Sequence, residues 1–350
     1  MNRGFGIEVE GSYGSPNIST STYEPNWWNN AESVDFKLND DPVTRSGSSR
    51  MNKRARAGIM KPSGSTEADA DLQQLAWYFF GYLDNYVYTA GATGATVHTH
   101  EFYGGEGKEL PSFRGIAIFD MLKKYINGML VDGLKLEVSN ENMTVAADWI
   151  YKTESAAINE TFTQPDELPD EQIFIMFYDV GLQMASPGQT LTDLDGVSTA
   201  FSFEGNNNHD VDGTIGLGSR YPQKRAQAGK RENTLSITTT LTSDTARKIL
   251  DAQYGEIGAL APSSCKILQT QLKVTIQHCE DSNMSCEIYF PVCTLRVEYN
   301  MSGVDAIETT LTLDTLGSGT VTLLDGTTEV ATDMYVKLVN KQEKIETVDS

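Results

Sequence analysis

The chain has 350 residues, 39% of them apolar and 9% aromatic, with a formal charge of −21; it is long enough for two folded domains and too apolar to be disordered. Such acidity repels DNA and anionic lipid, which excludes an ordinary nucleic-acid-binding or membrane-surface protein. No apolar run reaches the roughly 20 residues of a membrane-spanning helix, and the start, MNRGFGIEVEGSYG, lacks the apolar core of a signal peptide, so folding in a cytoplasm is expected.

Residues 1–30 are rich in Gly, Ser, Asn, Tyr and Trp without a sustained period and read as an extended arm, with Trp27 and Trp28 as anchors. A first domain follows over 31–160. Val34, Phe36 and Leu38 alternate with polar residues, as do Leu134, Leu136 and Val138, and the stretch Val145 to Tyr151 continues the pattern of half-buried strands. One helix interrupts them: Leu72, Leu75, Ala76, Phe79, Phe80 and Leu83 fall at helical spacing. Thr66-Glu67-Ala68-Asp69 would form its acidic N-terminal cap, and a single apolar face would result. A polar, proline-containing linker spans 161–171.

The second domain, 172–316, carries strand patterns at Leu272 to Ile276, Leu295 to Tyr299 and Leu311 to Leu313. Its helix begins at Ser243-Asp244 and ends at Tyr254-Gly255, with Ala246, Ile249, Leu250 and Tyr254 as the stripe. Residues 317–350 read as a C-terminal hairpin, Val321 to Leu324 against Tyr335 to Val339 around Asp325-Gly326, and a solvated tail from Lys341. The fold class expected is mainly β: two tandem antiparallel β-sandwich or barrel-like domains, each with one flanking helix.

The halves echo each other. Lys53-Arg54-Ala55-Arg56-Ala57-Gly58 returns as Lys224-Arg225-Ala226-Gln227-Ala228-Gly229, and Ser49-Arg50 upstream returns as Ser219-Arg220. Further on, Leu134-Lys135-Leu136-Glu137-Val138-Ser139 returns as Leu295-Arg296-Val297-Glu298-Tyr299-Asn300, in the same order and at nearly the same separation. A chain with two similar halves fills two equivalent places in a symmetric assembly. In so acidic a protein, Arg50, Lys53, Arg54, Arg56, Arg220, Lys224 and Arg225 stand out as local positive charge, and the functional reading pairs them with acidic surface on a neighbouring subunit.

Catalytic patterns are weak. His98, His100, His209 and His278 sit in no triad or metalloprotease spacing, and His98-Thr99-His100 would be a metal pair without a third ligand. Gly104-Gly105-Glu106-Gly107-Lys108 lacks the Ser or Thr that ends a phosphate loop. Asn208-x-Asp210-x-Asp212-Gly213 opens like a calcium loop, but Ser219 stands where the bidentate carboxylate belongs. Cys265, Cys279, Cys286 and Cys293 contain no C-x-x-C pair and read as reduced thiols. No cofactor, metal site or enzyme activity is expected.

Four stretches together resemble the major tail tube proteins of tailed bacteriophages: Gly6-Ile7-Glu8-Val9-Glu10-Gly11-Ser12-Tyr13-Gly14-Ser15, then His100-Glu101-Phe102 with Leu110-Pro111-Ser112-Phe113, then Gly133 to Val138, and a strand ending Asp148-Trp149-Ile150-Tyr151. The resemblance covers roughly residues 1–155, and the second half joins it through the repeat. It implies stacked rings forming a hollow tube in the virion, assembled in the host cytoplasm. Through the tube pass the tape-measure protein and the genomic DNA without specific binding. Tail terminator, baseplate or tip proteins and, in a contractile tail, a sheath would be its partners, with no membrane contact. Length departs from the common single-domain members, and two domains per chain imply a trimeric, pseudo-hexameric ring. A type VI secretion tube protein is a related reading that the length disfavours; a virion-surface or extracellular module displaying loops for a receptor or carbohydrate is the alternative from another class.

Overall fold

The computed structural model describes residues 3–14, 27–29, 33–39, 42–45, 51, 54–93, 95–107, 109–119, 122–139, 141–158, 174–194, 198–240, 242–254, 269–279, 281–300 and 308–346. Residues 15–26 of the expected arm, the linker 161–171, Cys265, Arg50 and Lys53 lie outside them, as does the side chain of Arg54.

The first half runs through β1 (Arg3–Val9), β2 (Trp27–Asn29), β3 (Ser33–Lys37), β4 (Val43–Arg45), β5 (Arg54–Arg56) and β6 (Ser63–Asp69) to the helix α1 (Leu75–Tyr82). After it come β7 (Asn85–Thr89), β8 (His98–Tyr103), β9 (Phe113–Phe119), β10 (Leu122–Val138), β11 (Met143–Ile150) and β12 (Thr153–Ile158). The second half holds β13 (Val180–Ala185), β14 (Thr192–Asp193), β15 (Ser198–Asn206), β16 (Glu232–Thr240), α2 (Ser243–Tyr254), β17 (Gln269–Gln277), β18 (Ser285–Asn300) and β19 (Glu308–Thr315). The chain then continues through β20 (Gly319–Thr322), β21 (Glu329–Thr332) and β22 (Tyr335–Asn340). Among the described residues the architecture is mainly β, in large antiparallel sheets with two α-helices.

Strand formation follows from alternation. In β16 the side chains of Leu235 and Ile237 are buried while Thr234, Ser236 and Thr238 face out, the period-two pattern of a sheet with one face on a core.

Two strands organise the layers. β10 and β18 span 17 and 16 residues, and each bends so that its two ends belong to different sheets. The start of β10 pairs with β9 and β12, and its end with β11 and β15. Its bend falls where the pairing slips between Ile126 and Met129. There Gly128 takes a φ of +67° and donates its N–H to a Glu10 carboxylate oxygen at 2.8 Å. An added Cβ would collide with Lys152, so the bend needs glycine. The other Glu10 oxygen accepts from Gly14 N–H at 2.8 Å. This is the local reason for the Glu-Gly-Ser-Tyr-Gly opening.

β18 bends at Pro291, between Phe290 and Cys293, whose partners in β17 are Leu272 and Thr270. Proline, without an N–H, suits a bulge where the ladder is already interrupted.

The result in each half is a sandwich. One layer of the first half is β2-β1-β9-β10-β12, and its counterpart in the second is β14-β13-β17-β18-β22-β8-β7. The facing layers join into one eight-stranded antiparallel sheet ordered β3-β6-β11-β10-β15-β16-β19-β18. Buried apolar residues of both halves form one continuous cluster, with Phe203 meeting Tyr82 edge-on on one side and Phe290 at a tilt on the other. Trp149 donates its indole N–H to Thr66 Oγ1 at 2.9 Å inside it.

Several expectations change. Thr66 to Asp69 belong to β6 rather than to a helix cap, and Asp71 takes the capping role: its carboxylate accepts from Gln73 N–H at 2.6 Å and its carbonyl from Leu75 N–H at 3.0 Å. α1 is buried on almost every side, not on one face, because it fills the space between layers. Gly81 lies inside it, where a Cβ would meet Val131 and Phe113. The C-terminal hairpin closes β20 on β21, and β22 instead enters the second half's layer between β18 and β8. Asp325-Gly326 does make the hairpin turn, with Gly326 at a φ of +71° and the Asp325 carboxylate accepting from Thr327 and Thr328 N–H at 2.8 Å. In the tail, Ile345 is buried and its N–H meets Tyr86 Oη at 3.3 Å, so part of it packs.

A buried ion cluster staples the end of the second half onto the first. Arg231 holds Asp333 bidentately at 2.9 Å on both arms and lies 3.4 Å from Asp84, while Asn233 donates to Asp333 at 2.9 Å. Removing one member of a buried pair strands the other. Arg231→Ala should therefore lower stability by about 3–5 kcal/mol in urea unfolding.

His100 makes a second, neutral link, with Nδ1 2.9 Å from Tyr86 Oη and Nε2 2.9 Å from the Gln342 carbonyl. Burial, aided by the neighbouring His98, lowers its pKa from 6.5 to about 4. The folded state thus binds fewer protons than the unfolded chain, so its contribution is present above pH 6.5 and is lost as pH falls toward 4. Thermal melts should show that decline in the native protein and a flatter profile in His100→Gln. Leu136→Ala, at a fully buried site, should cost about 2–5 kcal/mol, and Val297→Ala, half-buried at the matching sequence position, distinctly less.

Candidate assembly surfaces

The outward face of the eight-stranded sheet is rich in carboxylates and hydroxyls. Alternation places Asp35, Glu67, Asp69, Glu137, Asp148, Glu204, Glu232, Glu298, Glu308 and Asp314 on it against Lys37, Lys135 and Arg296. Between these charges stand hydroxyls: Thr144, Ser202, Thr234, Ser236, Thr238, Thr310 and Thr312. Partial burial raises the Asp148 pKa, and the Asp132 and Glu204 charges add to the rise. Sequence reading registered the net charge but not this surface, since the residues come from eight strands spread over both halves; the signal was the even spacing of acidic and hydroxyl residues between apolar ones.

The halves meet at the β10–β15 ladder. Gly133 to Val138 pair with Asn206 to Phe201, and Leu134, Leu136, Val138, Phe201 and Phe203 are buried beneath it. On the outer face Lys135 stands opposite Glu204 and Glu137 opposite Ser202. A Glu137 hydrogen bond at 2.7 Å, with the Glu137, Glu204 and Glu67 charges, raises the Lys135 pKa. Opposed charges on facing residues favour this register over a slipped one.

The sheet ends on two edges. Among the described residues β3 pairs only with β6, and the Leu295–Asn300 end of β18 only with β19. Val34, Leu295 and Val297 are correspondingly half-buried, whereas Leu134, Leu136 and Phe203 at the internal ladder are fully buried.

The basic segments flank the loops that follow β3 and β15. Arg220 donates from Nε to the Gly58 carbonyl at 2.9 Å, and Met60 N–H to the Arg220 carbonyl at 2.8 Å, so the two echoing segments touch. Arg225 is half-buried near Glu109, Tyr13 and Glu10; burial lowers its pKa against their opposing charges. Arg56 and Lys224 are exposed. The structure therefore brings Arg220 into contact with Gly58, half-buries Arg225 near opposite charges of its own chain, and leaves Arg56 and Lys224 exposed; Val43, opposite Arg56 in the β4–β5 ribbon, is exposed too, as are Met51, Ile59 and Leu217 in the same two connections.

The other polar motifs hold the fold. His98 Nδ1 lies 2.8 Å from Tyr88 Oη, and His209 Nδ1 2.8 Å from Asp132. The glycine loop grips a carboxylate, not a phosphate: Gly105 and Gly107 donate to Asp84 at 2.6 and 2.7 Å. In the acidic loop Asp210 accepts from Gly213 N–H and Asp212 pairs with Lys61. Among the described residues no cluster of His, Cys, Asp and Glu could hold a metal. Cys286 and Cys293 are buried free thiols, the latter pushed up to about 12 by desolvation first, and Cys279 is exposed.

No curated protein matches the sequence significantly. A family model described as phage tail tube protein matches residues 4–275, from β1 to nearly the end of β17 and thus across the ladder joining the halves. The match spans more than half of the chain, and the chain belongs to the phage tail tube protein family.

Proposed function

We propose that the chain is a duplicated tail tube subunit that assembles as a trimeric, pseudo-hexameric ring. One observation carries the proposal: the same connectivity occurs twice, in the same chain order. The series β1, β2, β3, β6, α1, β9, β10, β11, β12 has the pairings of β13, β14, β15, β16, α2, β17, β18, β19, β22. Registers correspond as well. Leu136 faces Val145, which faces Ala68; Val297 faces Leu311, which faces Ile237. The repeated Leu-Lys-Leu-Glu-Val and Leu-Arg-Val-Glu-Tyr segments occupy the same place in the two halves. On this reading the tandem modules are joined edge to edge by the β10–β15 ladder, with residues 161–171 linking them. The elements present in one half alone, β4–β5, β7–β8 and β20–β21, are insertions.

A ring of heterologous contacts closes after a whole number of equivalent steps, and each chain supplies two. The acidic, hydroxyl-rich face lines the lumen in this proposal. A negative wall holds DNA off over about 8 Å at physiological salt, and the excess of carboxylates over Lys37, Lys135 and Arg296 on that face favours passage of the tape-measure protein and genome without specific binding. The loops after β3 and β15, with Arg56, Lys224 and the exposed Val43, Met51, Ile59 and Leu217, contact the next ring. Tail terminator and baseplate or tip proteins end the stack in the virion, and a sheath surrounds it if the tail contracts.

Electron microscopy of the concentrated protein should show tubes with three chains per ring; rings of six full chains would refute the duplication reading. Thr312→Cys should react with a bulky maleimide in the monomer and be protected in tubes. Equal labelling in both states would remove the acidic face from the lumen. Arg56→Glu with Lys224→Glu should yield folded rings that stack poorly, and normal tube length would show that these charges lie off the contact.

A further inference from the structure

The internal ladder offers a template for the contact between chains. Its two strands, the end of β10 and β15, have twins in the end of β18 and in β3, and those twins are the two edges at which the eight-stranded sheet stops. We propose that these edges pair antiparallel between neighbouring copies of the chain, with Arg296 opposite the partner subunit's Asp35, Val297 opposite the partner's Val34, and Glu298 opposite the partner's Ser33. This inference rests on the tube reading and adds to it the strands and the register of the seam.

The register follows from correspondence of residues. Leu136, Val145 and Ala68 align across three strands as Val297, Leu311 and Ile237 do, and Phe203 faces Leu235 as Val34 faces Thr66. Transferring the observed pairs gives three matches. Lys135 opposite Glu204 becomes Arg296 opposite Asp35, so basic meets acidic in both seams. Glu137 opposite Ser202 becomes Glu298 opposite Ser33, the same two residue types. Leu136 over Phe203 becomes Val297 over Val34, apolar on apolar. A slip of two residues would put Arg296 against Ser33 or Lys37 and Glu298 against Asp35 or residue 31, losing the charge match.

Burial points the same way. Val34, Leu295 and Val297 lie on the core side of the sheet yet are half-buried, where their twins Phe203, Leu134 and Leu136 are covered by the internal ladder. A neighbouring strand on each edge would bury them and satisfy the backbone groups left over. At present Arg296, with 68% of its side chain exposed, pairs at 2.6 Å with Asp314 of its own chain, and Asp35 pairs with Lys37. Bringing Asp35 alongside leaves Arg296 between two carboxylates, a stronger anchor than either exposed pair alone.

The test uses the full chain. Ser33→Cys with Glu298→Cys, in a background with Cys265 and Cys279 both changed to Ser, is assembled and mildly oxidised. The expected result on a denaturing, non-reducing gel is a ladder ending at the closed three-chain species, with neither single cysteine giving it. Ser33→Cys with Arg296→Cys, out of register, should give little product. Independently, Arg296→Asp should raise the protein concentration needed for assembly at least about tenfold, with an unchanged melting temperature for the monomer, and adding Asp35→Arg should restore it. Rings or tubes that form without the disulfide and tolerate Arg296→Asp would overturn this seam while leaving the tube reading intact. A parent chain monomeric at every concentration would overturn both.

Discussion

An antiparallel sheet must do something with its two outermost rows of N–H and C=O groups, and this protein's architecture is organised around that requirement. Eight strands from both halves form one sheet, β3 at one end and the far part of β18 at the other. A small isolated protein usually blunts such edges with a bulge, a proline or a covering loop. Here the described edges carry alternating apolar and charged residues like those of the interior strands.

The rest of the fold positions that sheet. β10 and β18 bend through it into a second layer, one through Gly128 at positive φ and the other through Pro291 at a bulge. The two residues solve the same steric problem differently: glycine tolerates the turn, and proline forgoes a hydrogen bond that the bulge has already broken. Helix α1 fills the space that the bend opens in the first half. The Arg231, Asp333 and Asp84 cluster then locks the start of β16, the junction of α1 with β7 and the approach to β22 together, so that strands distant in sequence are held as one body. A rigid body with fixed edges can repeat with a constant angle between copies.

The chemistry of the exposed face follows from the same pleat. Because successive side chains point to opposite sides, apolar residues that build the core force the residues between them outward, and in this chain those are Thr, Ser, Asp and Glu. Acidity is thereby concentrated on one face of the sheet, although neither half contains an acidic run.

Much was legible beforehand. The period-two segments around Leu134, Leu272, Leu295 and Leu311 are strands, Ser243 to Tyr254 is helical, Asp325-Gly326 is a turn, and the resemblance to tail tube proteins agrees with the family match. Local chemistry suffices for these, since alternation and turn residues act over a few positions. Thr66 to Asp69 misled because acidic residues before an apolar stretch look alike whether they cap a helix or line the outer face of a strand. β22 was assigned to the wrong partner for a related reason: a hairpin is the nearest pairing in sequence, but β18 and β8 offered a more extensive one. The basic segments were visible as repeats, yet only folding separated Arg220 and Arg225, used within the chain, from Arg56 and Lys224 at the surface.

By itself the sequence determined that the chain is β-rich, acidic, internally echoing and similar to tail tube proteins, because composition and short-range periodicity are properties of neighbours along the chain. Which strands adjoin, where the sheet ends and which residues share its acidic face were decided by tertiary structure alone. Those depend on hydrogen bonds and packing between segments separated by up to 268 residues, and no local pattern encodes them.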